Sequence, residues 1–265
     1  MTFVALLTKE LRLRMRRERT IWLMIIYILL LGLTGWLALN TLKNTNEASN
    51  INFTGQFLYD QIALLQLLLI IFITPALTAT TINGEKTRQT FDLLLCSQIS
   101  GLCIAAGKLA AGLTNILLLI AASIPLFSLI FLFGGIEPGR LIIMLLVFIV
   151  TALQVGTFGL FCSIFFRHPA VSTVVAYVVS LFWLALPYTI LLFWSLFPDR
   201  DLSSQQTDLL FLWNPMLSLF GHASTIRGSL TSIAPWITYT IVSLLVTGIF
   251  FSLSAHYVRP NLLRR

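Results

Sequence analysis

Between two long apolar stretches, residues 82–100 read INGEKTRQTFDLLLCSQIS, and Glu85, Lys86, Arg88 and Asp92 fall within eight of them. Two acids flanking two bases make a cluster too charged for lipid and too short for a domain. Near the centre of a bilayer such side chains cost about 2.5–3.5 kcal/mol each, so this segment must lie outside the lipid. Thr90 can cap a short helix whose first turn carries Asp92, favourably placed at the positive end of the helix dipole. Phe91, Leu94 and Leu95 then share one face at spacings of three and four. A short apolar face between two membrane segments needs something to dock against.

Other residues capable of chemistry do not assemble. A phosphate-binding loop needs Gly-x-x-x-x-Gly-Lys followed by Ser or Thr. Here Gly101 and Gly107-Lys108 are separated by five residues and Leu109 follows. Lys108 is instead expected to snorkel at the membrane interface. Asp199-Arg200-Asp201 resembles the metal-binding carboxylate pair of some sugar transferases, but a solvated loop facing lipid headgroups is the better reading. His168, His222 and His256 lie apart, with no i, i+4 pairing, so no metal site is expected. No catalytic residues are assigned.

The elements that must position the docking segment are membrane spans. Of 265 residues, 57% are hydrophobic and 10% charged, against about 25% charged in soluble domains. Apolar runs predict six transmembrane helices at about 20–42, 61–82, 109–134, 141–166, 170–194 and 233–256, each near the roughly 20 residues that cross a bilayer. The net charge of +7 is distributed as in a membrane protein and not as in a nucleic-acid-binding one. With both termini inside, Lys9, Arg12, Arg14, Arg16, Arg17, Arg19, Lys86, Arg88, Lys108, Arg167, Arg259, Arg264 and Arg265 are cytoplasmic. Only Lys43, Arg140, Arg200 and Arg227 are outside, as the positive-inside rule favours. Cys96, Cys103 and Cys162 then lie on or near the reducing side, where a structural disulfide is not expected.

Residues 2–19 carry Val4, Leu7, Leu11 and Met15 on one helical stripe and Lys9, Arg12, Arg16 and Arg19 on another. That pattern predicts an interfacial amphipathic helix at the membrane surface. Asn214-Pro215 interrupts the apolar run 209–221, predicting a broken, interfacial or re-entrant segment within 205–230. Together with Asn115 and Gln154 inside the spans, Asn214 and Pro215 are candidates for a translocation path or gate, although polar residues in spans more often bond neighbouring helices. The expected fold class is an all-α integral membrane protein: six transmembrane helices, an N-terminal interfacial amphipathic helix and a broken helical segment before the last span.

The ordered set of motifs resembles the type-2 ABC exporter permeases. Those carry a Glu-rich run after the second span, then Gly-Thr-Leu-Glu, leucines and Pro-Ile-Ser. This chain has Glu85, Arg88, Thr90-Phe91-Asp92, Leu93-Leu94-Leu95 and Ile99-Ser100 in matching order, followed by Gly107-Lys108. LLTKELRLRMRR is similar to that family's entry helix, and Asn214-Pro215 to its Asn-Pro before the last span. Thr87, Gln89 and Gln98 stand where an acid, Gly and Pro are common. The resemblance implies a membrane subunit of an exporter, paired with a second permease and driven by two cytoplasmic ATP-binding subunits that hold ATP and Mg. No cofactor is expected in this chain. It implies a coupling segment within 83–108, with Glu85, Arg88, Thr90, Phe91, Asp92, Leu94 and Leu95 docking on the ATPase, and a smaller contact at Arg167-His168. A bacterial cytoplasmic membrane, lipid contacts and no nucleic-acid partner follow. Two alternatives are a multi-spanning lipid or sugar transferase, which needs acids or histidines clustered at one membrane face, and a scaffold subunit without a transport path.

Overall fold

Eight helices run through the residues that a computed structural model describes, 18–43, 51–87, 101–130, 137–196, 213–220 and 235–258. They are α1 (Glu18–Lys43), α2 (Ile51–Thr78), α3 (Asn83–Thr87), α4 (Gly101–Ile130), α5 (Pro138–Phe165), α6 (Pro169–Ser195), α7 (Pro215–Phe220) and α8 (Pro235–Val258). Six of these, all but α3 and α7, are long and apolar enough to cross a membrane. The shortest of the six has 24 residues, about 36 Å at 1.5 Å per residue, against a hydrocarbon core of about 30 Å. The chain is an all-α, multi-pass membrane protein. Residues 2–17, most of the expected interfacial helix, lie outside the described residues.

Local sequence sets where several helices begin. Pro138, Pro169, Pro215 and Pro235 each occupy the first helical position, where a fixed φ is pre-organised and the missing N–H would have had no partner. Within the helices, Pro75, Pro125 and Pro187 each withhold one donor from the backbone ladder. Threonine and serine hydroxyls turn back on the backbone, as with Thr74 to the Ile70 carbonyl at 2.6 Å and Thr151 to the Val147 carbonyl at 2.7 Å. This is how hydroxyls are satisfied where no water is available.

Helices α2 and α5 form the centre. Half of each span is buried by protein, against 17% of α1 and 22% of α8, so the outer helices show most of their surface to the membrane. On α1, Trp22, Ile25, Ile26, Leu29, Leu33 and Trp36 are exposed along one side. Small residues let the central helices meet closely. A Cβ at Gly156 would lie 3.1 Å from Leu113 of α4 and 3.5 Å from Thr74 of α2, and one at Gly159 would lie 3.2 Å from the Thr78 Cβ. Buried side chains add polar ties: Gln66 Nε2 of α2 donates to Ser123 Oγ of α4 at 3.1 Å, and the Thr151 and Tyr239 hydroxyls join α5 to α8 at 2.8 Å.

Two helices reach further than the apolar runs predict. Helix α2 begins at Ile51, so Asp60 is inside it, where it faces Arg140 of α5 at 3.5 Å. Helix α4 begins at Gly101 and takes in Lys108, so residues 101–108 of the expected 83–108 segment continue a span helix. Lys108 does not snorkel: it is 4% exposed, because it shares a face with Ile104, Ala105 and Gly112, which pack inward.

Candidate functional site

The candidate site is the end of the bundle where α2 leaves the core. There the chain turns through residues 79–82 into the short α3 and is held from two other helices. Ala79 N donates to the Pro75 carbonyl at 2.9 Å and Thr81 N to the Thr78 carbonyl at 3.2 Å, closing the helix end locally. Ser163 Oγ of α5 accepts from Ile82 N at 3.0 Å and from Asn83 N at 3.2 Å. A helix start leaves N–H groups without intrahelical partners. Ser163 does for α3 what an N-cap serine does for its own helix, but from 80 residues away. Ser172 Oγ, in the first turn of α6, donates to the Ala79 carbonyl at 2.8 Å.

Lys86 adds a third tie, its Nζ donating to the Ile164 carbonyl of α5 at 3.3 Å. Burial pushes the Lys86 ammonium below the usual lysine range, and the nearby Arg167 charge lowers it further. Between that lowered value and the ordinary one the unfolded chain holds more protons here than the folded one, so the penalty shrinks as pH rises through this window. Beyond Ile164, Phe166 N caps α5 on the Cys162 carbonyl at 3.0 Å, and Arg167 and His168 form an exposed turn before Pro169. Residues 79–87 and 163–172, distant in sequence, are one structural unit. Three hydrogen-bonded side chains, Ser163, Lys86 and Ser172, join the chain at 79–87 to α5 and α6.

Buried in this unit, Asn83 is fully covered, and neither atom of its side-chain amide has a hydrogen-bond partner among the described residues. Such groups cost stability where they stand, and this one sits where α3 meets the core.

The sequence-predicted site residues fall into three groups. Arg167 and His168 sit in the exposed turn, close enough for Arg167 to act on Lys86. Glu85 lies in α3 beside Lys86. Arg88, Thr90, Phe91, Asp92, Leu94 and Leu95 lie outside the described residues. Asn115 of α4 is buried, and Gln154 of α5 is half-buried, with its Oε1 covered and without a hydrogen-bond partner among the described residues. No hydrogen bond joins these two.

Asn214 and Pro215 belong to a separate structure. Asn214 Oδ1 caps α7 by accepting from Met216 N at 2.9 Å, while Nδ2 donates to the Leu184 carbonyl of α6 at 2.9 Å. Both ends of a fully buried amide are used, so Asn214 fastens α7 to the stretch of α6 that contains Pro187. Asn214→Ala removes both bonds. We expect about 1–2 kcal/mol of lost stability from the cap alone, visible as a lowered melting midpoint in detergent. An unchanged midpoint would contradict the fastening role.

Sequence reasoning missed Ser163, Ser172, Asn83 and the Asp60–Arg140 pair. One signal was present: Ala152, Gly156, Gly159 and Ser163 recur at spacings of four, three and four on α5, a stripe of small residues that marks a close helix crossing.

Residues 4–258 match the model of a family described as ABC-2 family transporter protein. No curated protein matches the chain.

Proposed function

The chain belongs to the ABC-2 family of transporter proteins, and as a permease subunit of an ABC transporter we propose that it exports its substrate under the drive of separate ATP-binding subunits docked on the loop between α2 and α4. On this reading the loop end of the bundle is cytoplasmic, as are both termini, in a bacterial cytoplasmic membrane. The ATPase holds ATP and Mg, and a second permease completes the path.

What supports docking at this end is the three-way tie of residues 79–87 to α5 and α6. A partner that moves the loop moves three spans together, which is what coupling to ATP requires. Phe91, Leu94 and Leu95 supply the apolar anchors, and Glu85, Arg88, Thr90 and Asp92 orient them. Arg167 and His168 form the second contact. Lys86 and Arg167 repel one another, and a carboxylate on the partner would relieve that repulsion.

Buried apolar anchors carry most of an interface's affinity, while rim charges set orientation and on-rate. The test is a mild-detergent pull-down of the tagged chain against Phe91→Asp plus Leu94→Asp. At about 2 kcal/mol or more per anchor, the double variant should retain less than about one-hundredth of the ATP-binding subunit and of the co-purifying ATP hydrolysis. Equal retention by a folded variant would remove the docking role from this loop. Absence of any ATP-binding subunit from the wild-type complex would remove the coupling reading altogether.

A further inference from the structure

At the far end of the bundle from Lys86, Asp60 of α2 faces Arg140 of α5, with Oδ1 and a terminal guanidinium nitrogen 3.5 Å apart. The guanidinium also lies over the ring of Tyr59, 4.8 Å from its centroid. Tyr59 meets Phe127 of α4 edge-on at 6.1 Å. Asp60 and Arg140 are the two charged residues of α2 and α5 that face each other, and both are only partly exposed, 33% and 17%.

Two features set this pair apart from a structural ion pair. The first is its poor saturation. Arg140 Nε is covered and has no hydrogen-bond partner among the described residues, and at 3.5 Å the Asp60 contact is long for a charge-assisted hydrogen bond, normally about 2.7–2.9 Å. A charge held permanently in a helix seam normally has its donors used up. A partly exposed pair, held by one long ion contact and by the Arg140–Tyr59 ring contact, is weaker than a fully saturated buried one. The second feature is its place on the two helices. Asp60 and Thr78 are eighteen residues apart, and Arg140 and Gly159 nineteen, about 27 and 28 Å along their helices. Helices α2 and α5 therefore touch at both ends of an apolar span: by tight packing of Thr74 and Thr78 on Gly156 and Gly159, and by an under-satisfied charge pair at the other. At the first end only close packing joins the two helices, whereas at the second a charge pair does, and water can take up its donors and acceptors when they part.

We infer that Asp60 and Arg140 are the latch of the outward gate: they hold the far ends of α2 and α5 together in this conformation and part when those helices splay about the Thr78–Gly159 crossing. The latch rests on the permease reading above, because its release is set by nucleotide at the opposite end. Arg140 and Asp60 act as positioning residues, and each carries donors or acceptors that water or a polar group of the passing substrate takes up once the pair opens.

The test uses the permease with its co-purifying ATP-binding subunits in lipid nanodiscs, with Cys96, Cys103 and Cys162 replaced by alanine. Leu58→Cys is the reporter, since Leu58 is buried at 3% exposure two positions before Asp60 on α2 and is not part of the pair. Ile62→Cys, also buried, is a second reporter should the first fail to assemble. Labelling by a polar maleimide should be slow without nucleotide and about tenfold faster after trapping with vanadate. Asp60→Asn or Arg140→Gln alone should give the fast rate without nucleotide. The swap Asp60→Arg with Arg140→Asp should restore the slow rate, a rescue that mere damage to folding would not show. Equal rates in the wild type, the single variants and the swap would overturn the latch. If nucleotide is not trapped at all, the coupling reading fails, and the nucleotide-free comparison still decides whether this pair keeps the ends closed.

Discussion

Gly159→Val is expected to yield little folded protein. Even a single added Cβ at this position would lie 3.2 Å from the Thr78 Cβ and 3.4 Å from the backbone nitrogen of Ala79, and it would crowd the Thr78 hydroxyl more closely still. Neither neighbour is free to yield. The Thr78 hydroxyl donates to the Thr74 carbonyl at 2.9 Å. Ala79 is held by its N–H on the Pro75 carbonyl and by its own carbonyl on Ser172. Overpacking a tight interior costs about 1–3 kcal/mol for small additions. Gly159→Ala should therefore lower the melting midpoint of the purified permease by several degrees, and valine, with two further methyl groups, should abolish a monodisperse peak in size-exclusion chromatography. Gly248 is the internal control, because nothing lies within 4 Å of a Cβ there. Gly248→Ala should melt at or slightly above the wild-type midpoint, since alanine is the better helix former. A Gly159→Val protein that melts normally would mean that α2 and α5 do not cross here.

Ser163→Ala should have the second large effect, on coupling more than on assembly. It leaves the N–H groups of Ile82 and Asn83 without their acceptor, and both residues are fully buried. Each buried N–H left unpaired costs about 1–3 kcal/mol, so the start of α3 should open readily. Hydrogen exchange across residues 79–87 should speed up by about tenfold or more, with α8 unchanged as the reference. The pull-down of the ATP-binding subunit should survive, since the anchors proposed for docking, Phe91, Leu94 and Leu95, are untouched. Nucleotide-dependent labelling at Leu58→Cys should be lost. Exchange at 79–87 that matches wild type would show that Ser163 does not cap α3. Ser172→Ala gives a graded comparison: it removes one bond, to the Ala79 carbonyl, so a smaller change in the same segment is expected.

Both variants act on the same joint. Gly159 and Ser163 are one turn apart on α5 and face the last turn of α2 and the chain that follows it. Packing sets how closely the two helices approach, and the serine hydroxyl sets whether the loop moves with them. On the docking proposed above, stiffness here is what coupling needs, because a loop that opened locally would absorb the motion of the ATPase instead of passing it to the spans.

The number and nature of the long helices were legible in the amino-acid sequence, because lipid tests each segment separately. A run of about 20 apolar residues satisfies its own backbone as a helix wherever its neighbours are. Pro138, Pro169 and Pro235 likewise mark helix starts through their own fixed φ and missing N–H, and Asn214-Pro215 marks the break before α7. The ordered motifs from Glu85 to Gly107-Lys108 indicated the permease family that the match over residues 4–258 establishes. Helix ends next to charges were not legible. Asp60 and Lys108 bounded the apolar runs, yet both are inside helices. A charge is excluded from a span only when nothing in the protein covers or pairs with it, and Arg140 sits 80 positions from Asp60. The joint itself depended wholly on the tertiary arrangement. Serines 163 and 172 read as ordinary small polar residues; only the packing of α5 and α6 against the end of α2 makes one a cap for α3 and the other a clamp on Ala79. Hydrogen bonds between distant segments have no local signature, because their energy exists only once the helices have met.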